Sequence, residues 1–145
     1  MDKILITGGS GYLGSQFIKS YGTRFCISSF SLKLKRLEDI EFNGTQAIVH
    51  FAGIVHQGDR VSREEYEKIN IEYPKKLAQS AKKSGVKQFV FLSSVSVYGD
   101  LTYIDQNSEC NPSNKYGISK FQAEQELLKL NDSTLNVSSV IIPMV

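Results

Sequence analysis

Short apolar runs alternate along the chain with longer stretches whose apolar residues recur at helical spacing. Lys3–Thr7 is a β-rich run that stops at glycines, and Gly14–Tyr21 reads as a helix ending near Gly22. Phe25–Ser28 is a second short strand. Residues 31 to 45 are ambiguous, with a weak strand near Leu32–Leu34. Ala47–Phe51 is a clear third strand ended by Gly53, and Ser62–Ser84 is helical with Gly85 as its stop. Lys87–Leu92 is a strong strand, Ser113–Leu130 a helix, and Leu135–Ile142 a last strand closed by Pro143. Strands alternating with helices of this length imply βαβ units and a mostly parallel sheet. The near-continuous apolar run Phe89-Val90-Phe91-Leu92 fits a sheet covered on both faces. The expectation is an α/β, doubly wound parallel sheet whose ligand lies beyond the carboxyl ends of the strands.

Composition narrows this picture without redirecting it. The 145 residues make one domain, 1–145, large enough to bury a core. A net charge of +2 is too small to suggest a nucleic-acid or membrane surface, and clusters such as Lys33, Lys35 and Arg36 or Lys82 and Lys83 read as solvated faces. No apolar run approaches the roughly 20 residues a membrane span needs. No secretion signal is visible, since Gly8 and Gly9 break the apolar start. Cys26, in an apolar run, reads as a small core residue, and Cys110 falls in a polar loop. Two such cysteines do not make a disulfide framework, so a reduced, cytoplasmic setting is expected. No metal-ligand spacing exists.

Candidate chemistry begins where the first strand ends, at Thr7-Gly8-Gly9-Ser10-Gly11-Tyr12-Leu13-Gly14. Glycines at this spacing permit a tight turn, close backbone approach to a pyrophosphate, and close helix–strand packing. The helix that follows offers free N–H groups and a positive dipole end to phosphates. With a strand before and a helix after, the loop points to a Rossmann-like dinucleotide site. The acidic residue expected about 20 positions on, to grip the ribose, is replaced by serines at Ser28-Ser29. Lys33, Lys35 and Arg36 follow, so both NAD and NADP remain open as cofactors.

Tyr116 and Lys120 stand four residues apart, which places them on one face of a helix. A free phenol is a poor base at neutral pH; a neighbouring ammonium and a helix N-terminus both favour its phenolate. Upstream, the buried run through Leu92 ends in Ser93-Ser94-Val95-Ser96, hydroxyls placed at the ligand edge of such a sheet. Asn70 precedes Pro74 by four residues. Proline lacks an N–H, so the Asn70 carbonyl would lose its helical partner and be able to hold a water; alternatively a new helix starts near Pro74 and Asn70 caps the one before. His50, inside a strand, is expected to pack against its neighbours, and His56 lies in the following loop.

In this order and spacing, the glycine loop, His50-Phe51-Ala52-Gly53, Asn70, Ser93 to Gly99 and Tyr116…Lys120 resemble the extended short-chain dehydrogenases/reductases. The chain is most similar to the UDP-sugar 4-epimerase-like members of the NAD-dependent epimerase/dehydratase family, over nearly its whole length. The resemblance implies an NAD(P)-dependent nucleotide-sugar epimerase or ketosugar reductase, with a UDP-sugar as substrate. Ser94, Tyr116, Lys120 and Asn70 would be catalytic. Gly8, Gly11, Tyr12, Leu13, Gly14, Ser29, Phe51, Ala52, Gly53, Leu92, Tyr116, Lys120 and Pro143 would bind the cofactor. A dehydratase is disfavoured, because Val95-Ser96 follows Ser94 where those enzymes carry an Asp-Glu pair. The family also implies a homodimer through helices 62–84 and 113–130. Three departures stand out: serine in place of the acidic ribose ligand, a short stretch from Phe30 to Gln46, and a last strand that stops at Ile141-Ile142-Pro143-Met144-Val145, without the family's arginine and without the substrate-binding region that follows it in the family. The expected chain is therefore C-terminally truncated, without a substrate-binding subdomain, which leaves open a catalytically incompetent NAD(P)-binding module or fragment.

Overall fold

A computed structural model describes residues 1–32, 36–55 and 57–143. Five strands, β1 (Lys3–Thr7), β2 (Cys26–Phe30), β3 (Thr45–His50), β4 (Gln88–Ser94) and β5 (Asn136–Ile142), form one parallel sheet in the order β2-β1-β3-β4-β5. The order reverses between β1 and β3, so the crevice at a doubly wound sheet's switch point opens where Thr7 and His50 end their strands side by side. Helix α1 (Tyr12–Tyr21) follows β1. After β3 come α2 (Arg63–Tyr66), a π-helical turn (Glu67–Glu72) and α3 (Tyr73–Lys83), and α4 (Lys115–Leu128) precedes β5.

Alternation along the strands divides the core in two. On one face Leu5, Ile48, Phe89, Phe91 and Val137 bury against Leu77, Ala78, Ala81, Ala123 and Leu127 of α3 and α4. On the other face Ile4, Ile6 and Val49 meet Phe17 and Ile18 of α1. The coverage is unequal: on the α1 side of β5, Val140 is 44% exposed, so only part of that face has the two-sided cover expected from the apolar strands.

Several boundaries move for identifiable reasons. Helix α1 begins at Tyr12 rather than Gly14, because Gly11 caps it in extended conformation. Strand β2 runs on to Phe30, and Cys26 is exposed, not a core residue: it opens an edge strand, and on its face of β2 burial is reached only at the far end, at Phe30. The Ser62–Ser84 helix is interrupted. Ser62 caps α2 by accepting the Glu65 N–H, and at Pro74 the backbone widens, with the Tyr73 N–H donating to the Lys68 carbonyl five residues back. The weak strand expected near Leu32–Leu34 lies partly outside the described residues, as do Lys33 and Lys35; Leu37–Asp39 is a short 3-10 turn. Between β2 and β3 the described residues contain no further strand, in keeping with the shortness of that stretch.

Candidate active site

The glycine loop is shaped by close backbone approach. Gly8 has φ +75°, a conformation costly for any residue with a Cβ, and a Cβ there would lie 2.7 Å from the Ala52 nitrogen. A Cβ on Gly14 would lie 2.3 Å from the Gly8 carbonyl oxygen, so only glycine lets α1 start directly under the loop. The Gly11 N–H donates to the Gly8 carbonyl at 3.0 Å, which closes the turn. The rim holds exposed Tyr12 and half-buried Leu13. Ser29, at the end of β2, reaches the same loop: its Oγ lies 2.3 Å from where a Gly9 Cβ would stand.

The loop after β3 is fastened from two sides. The Thr7 hydroxyl is 2.8 Å from His50 Nδ1 and accepts from the Ala52 N–H at 3.4 Å. Asn70 clamps the next residues with its side chain: Oδ1 accepts the Ile54 N–H at 2.8 Å, and Nδ2 donates to the Ile54 carbonyl at 2.9 Å and to Ser119 Oγ at 3.0 Å. The Asn70 side chain, where the carbonyl is the group expected to act, ties the π-turn to the β3 loop and α4, and Asn70 caps no helix. Tyr66, also buried, donates to the Val55 carbonyl and accepts the Gln57 N–H, both at 3.2 Å. His50 is buried between the rings of Tyr73, Phe89 and Phe91, as expected of a packed histidine. His56 lies outside the described residues.

Strand β4 delivers Ser94 to the same edge. Its Oγ accepts the Ser96 N–H at 3.2 Å and caps the 3-10 turn Val95–Tyr98. Helix α4, capped by Asn114, comes down against that turn because residue 117 is glycine: a Cβ there would lie 2.4 Å from the Ser96 carbonyl oxygen. The approach brings the Tyr116 hydroxyl to Ser94, to which it is hydrogen-bonded, and its ring to that of Tyr66, 6.3 Å between centroids. Lys120, 7% exposed, donates to the Leu92 carbonyl at 2.7 Å and lies 4.4 Å from the centre of the Phe91 ring. Its ammonium is 3.8 Å from where a Gly53 Cβ would stand, so β3, β4 and α4 converge there.

The electrostatics are set by burial. Desolvation pushes the Tyr116 phenol above its ordinary value, against the opposing pull of the Ser94 hydrogen bond; Tyr66 adds to the rise. Lys120 is pushed down to about 8 by burial, with Glu124 acting in the opposite direction. His50 is held neutral, its pKa pushed down to about 3, first by burial and then by the Lys120 charge. In this structure burial outweighs the Ser94 hydrogen bond at Tyr116, and the Lys120 ammonium donates to the Leu92 carbonyl.

The structure thus gathers Gly8, Gly11, Gly14, Ser29, Phe51, Ala52 and Gly53 at one edge of the switch point, with Ser94, Tyr116, Lys120 and Asn70 at its other wall. Leu92 contributes its carbonyl, and Pro143 follows β5, exposed, on the same sheet edge. Sequence reasoning missed Gly117, Tyr66, Ser119 and the Thr7–His50 bond. Gly117, directly after the tyrosine, was the one readable signal; the others depend on pairings across the fold. No His/Cys/Asp/Glu cluster among the described residues could hold a metal ion, and no helix there is long and apolar enough to cross a membrane.

Comparison with known proteins places this geometry. Residues 31–145 match the model of the NAD dependent epimerase/dehydratase family. The UDP-glucose 4-epimerase of Pasteurella multocida is 32% identical over 96% of this chain and 51% of its own. An N-acetyl-alpha-D-glucosaminyl-diphospho-ditrans,octacis-undecaprenol 4-epimerase of Escherichia coli O157:H7 is 30% identical over 87% of this chain and 43% of its own. Among solved structures, the UDP-glucose 4-epimerase of Brucella ovis in complex with NAD superposes with a TM-score of 0.83 at 22% identity, over 97% of this chain and 51% of that one, which speaks to the fold. The chain spans about half the length of the curated relatives it matches.

Proposed function

Since the chain belongs to the NAD-dependent epimerase/dehydratase family, we propose that it holds NAD or NADP at the glycine loop and acts on a nucleotide sugar of the UDP-sugar class, as an epimerase or a ketosugar reductase. The observation that carries this reading is the convergence of Ser94, Tyr116 and Lys120 beside a glycine loop so tightly folded that a Cβ on Gly8 or Gly14 would strike backbone of the chain itself. Gly11 borders open space, a Cβ there meeting only the Gly8 carbonyl oxygen at 3.3 Å, which fits the approach of such a cofactor, and the N-terminus of α1 would supply N–H groups and dipole for its phosphates.

When bound, the nicotinamide supplies hydride acceptance and donation at a sugar carbon. The chain's own residues would handle the proton. Ser94 hydrogen-bonds the sugar oxygen, and Tyr116 Oη, at hydrogen-bond reach of Ser94, takes the proton from the sugar hydroxyl as the C–H bond breaks. Burial holds Tyr116 protonated, so it needs a cation beside it to act as a base. Lys120, one helical turn along, is the cation placed for that role. Asn70 would hold the β3 loop, with Phe51, Ala52 and Gly53, against the cofactor, and would support a water-linked proton relay. Helices α2 to α4 would form a homodimer face, to which Ile118 and Leu128 contribute exposed apolar surface; light scattering that finds only monomer would remove this part. The setting proposed is cytoplasmic.

The test is to mix the chain with NAD or NADP and UDP-glucose or UDP-galactose, and to follow both sugar interconversion and the near-ultraviolet absorbance of the reduced nicotinamide. Interconversion without net reduction marks an epimerase; stoichiometric reduction of the cofactor as the sugar hydroxyl is oxidised, the reverse of a ketosugar reduction, marks a reductase. Tight cofactor binding with neither would favour a second reading, a binding module without turnover.

A further inference from the structure

Glu124 is buried, 7% exposed, and its Oε1 has no hydrogen-bond partner. Carboxylates are almost never buried without a reason, because removal from water costs more than most single contacts return. It stands one helical turn beyond Lys120 on α4, as Lys120 stands one turn beyond Tyr116, so the three side chains share one face. Helix α4 packs against the Val95–Tyr98 turn. No ion pair joins Glu124 to Lys120; the ammonium is committed to the Leu92 carbonyl and the Phe91 ring. We propose that Glu124 is a positioning residue that keeps Lys120 protonated at neutral pH by supplying a buried negative charge to a lysine otherwise surrounded by apolar and neutral groups. The inference rests on the reading of Lys120 as the cation serving Tyr116.

The surroundings leave Glu124 alone in that role. The titratable and charged groups near Lys120 are Tyr116 and Glu124 on its own helix and His50 from β3, which is held neutral. Its contacts from β4 are a ring and a carbonyl, and the π-turn contributes the uncharged Asn70. Tyr98 and Cys110 face Glu124, and each is raised above its ordinary value, by burial first and also by the Glu124 charge, so neither offers a compensating charge at neutral pH. Burial alone would drive Lys120 toward its neutral form, which can neither favour a phenolate nor hold an anionic or hydroxyl-rich ligand as strongly.

The experiment is an NMR titration of the chain carrying 13Cε-labelled lysine, with the Lys120 resonance assigned by its loss in Lys120→Arg. Glu124→Gln should lower the Lys120 midpoint by about one pH unit, a tenfold loss of proton affinity. Glu124→Met should do the same, so that one folded variant suffices. Glu124→Asp should restore at least half of the shift, and Glu126→Gln, altering a carboxylate on the outer side of the same helix, should leave Lys120 where it was. A Lys120 midpoint unchanged in the Gln and Met variants overturns the proposal. The two readings fail separately. A Lys120 that follows Glu124 in a chain without turnover removes the function and leaves the charge relation. Turnover that needs Lys120 while its midpoint ignores Glu124 does the reverse.

Discussion

The two walls of the switch-point crevice are built by opposite means. The glycine-loop wall is backbone: Gly8, Gly11 and Gly14 matter for the atoms they lack, and Tyr12 and Ser29 at its rim are exposed. The Ser94–Tyr116–Lys120 wall is side chain: Asn70, Ser94 and Lys120 are buried, and burial moves the pKa of both Tyr116 and Lys120. One wall works by fit and the other by charge in a dry place. Substitutions on the first should register as lost binding and stability, and on the second as lost chemistry in a chain that still folds and binds.

The sharpest way to separate the walls is Tyr116→Phe. It removes one hydroxyl and leaves the ring against Tyr66, so turnover should fall by on the order of 10²–10⁴-fold while cofactor affinity stays nearly unchanged. Steady-state rates and calorimetry on the same preparation check it; retained turnover would remove Tyr116 from the chemistry. Gly14→Ala attacks the other wall. Its Cβ would meet backbone at 2.3 Å, so the loop must shift, at a cost of about 1–3 kcal/mol in urea unfolding and with loss of most cofactor affinity. Asn70→Ala falls between them. It strips both Ile54 backbone groups of their partners and should cost about 1–3 kcal/mol while weakening cofactor binding through the freed β3 loop.

The most gradual effect tests the shared floor of the crevice. His50 has a folded pKa of about 3 against 6.5 for the free side chain, so the unfolded chain takes the proton first. Its contribution is intact above pH 6.5 and is lost as the pH falls toward 3. The slope is at most about 1.4 kcal/mol per pH unit. Glu126 and Asp132, carboxyls held low by Lys129, Lys75 and Lys82, begin to matter only below their ordinary values, 4.5 and 3.8. The window between pH 6.5 and 4.5 is therefore the one to read, by urea midpoints of wild type and His50→Gln; equal slopes there would mean His50 is not buried neutral.

How far the sequence could be read follows the same division. Strands and helices were legible because both faces of the sheet carry long-range apolar patterning, and the glycine loop because it is local in the chain. Helix starts were misplaced where the caps, Gly11 and Asn114, were not recognised as such, and the long helix hid a π-turn that only the Tyr73–Lys68 hydrogen bond reveals. Cys26 was misjudged because an apolar run does not say which strand becomes the sheet edge. On the charged wall, Tyr116 and Lys120 were visible as a spacing. The Thr7–His50 bond joins residues 43 apart in the chain, and Asn70–Ser119 residues 49 apart, and no local pattern encodes such pairs.

One titration bears most directly on whether these walls enclose a single dinucleotide site. Calorimetric addition of NAD, and separately of NADP, to wild type, Gly14→Ala and Tyr116→Phe should show one saturable site per chain for at least one cofactor, lost in the glycine variant and kept in the tyrosine variant. Absence of binding of either cofactor to the folded wild-type chain, or binding indifferent to Gly14→Ala, would contradict it.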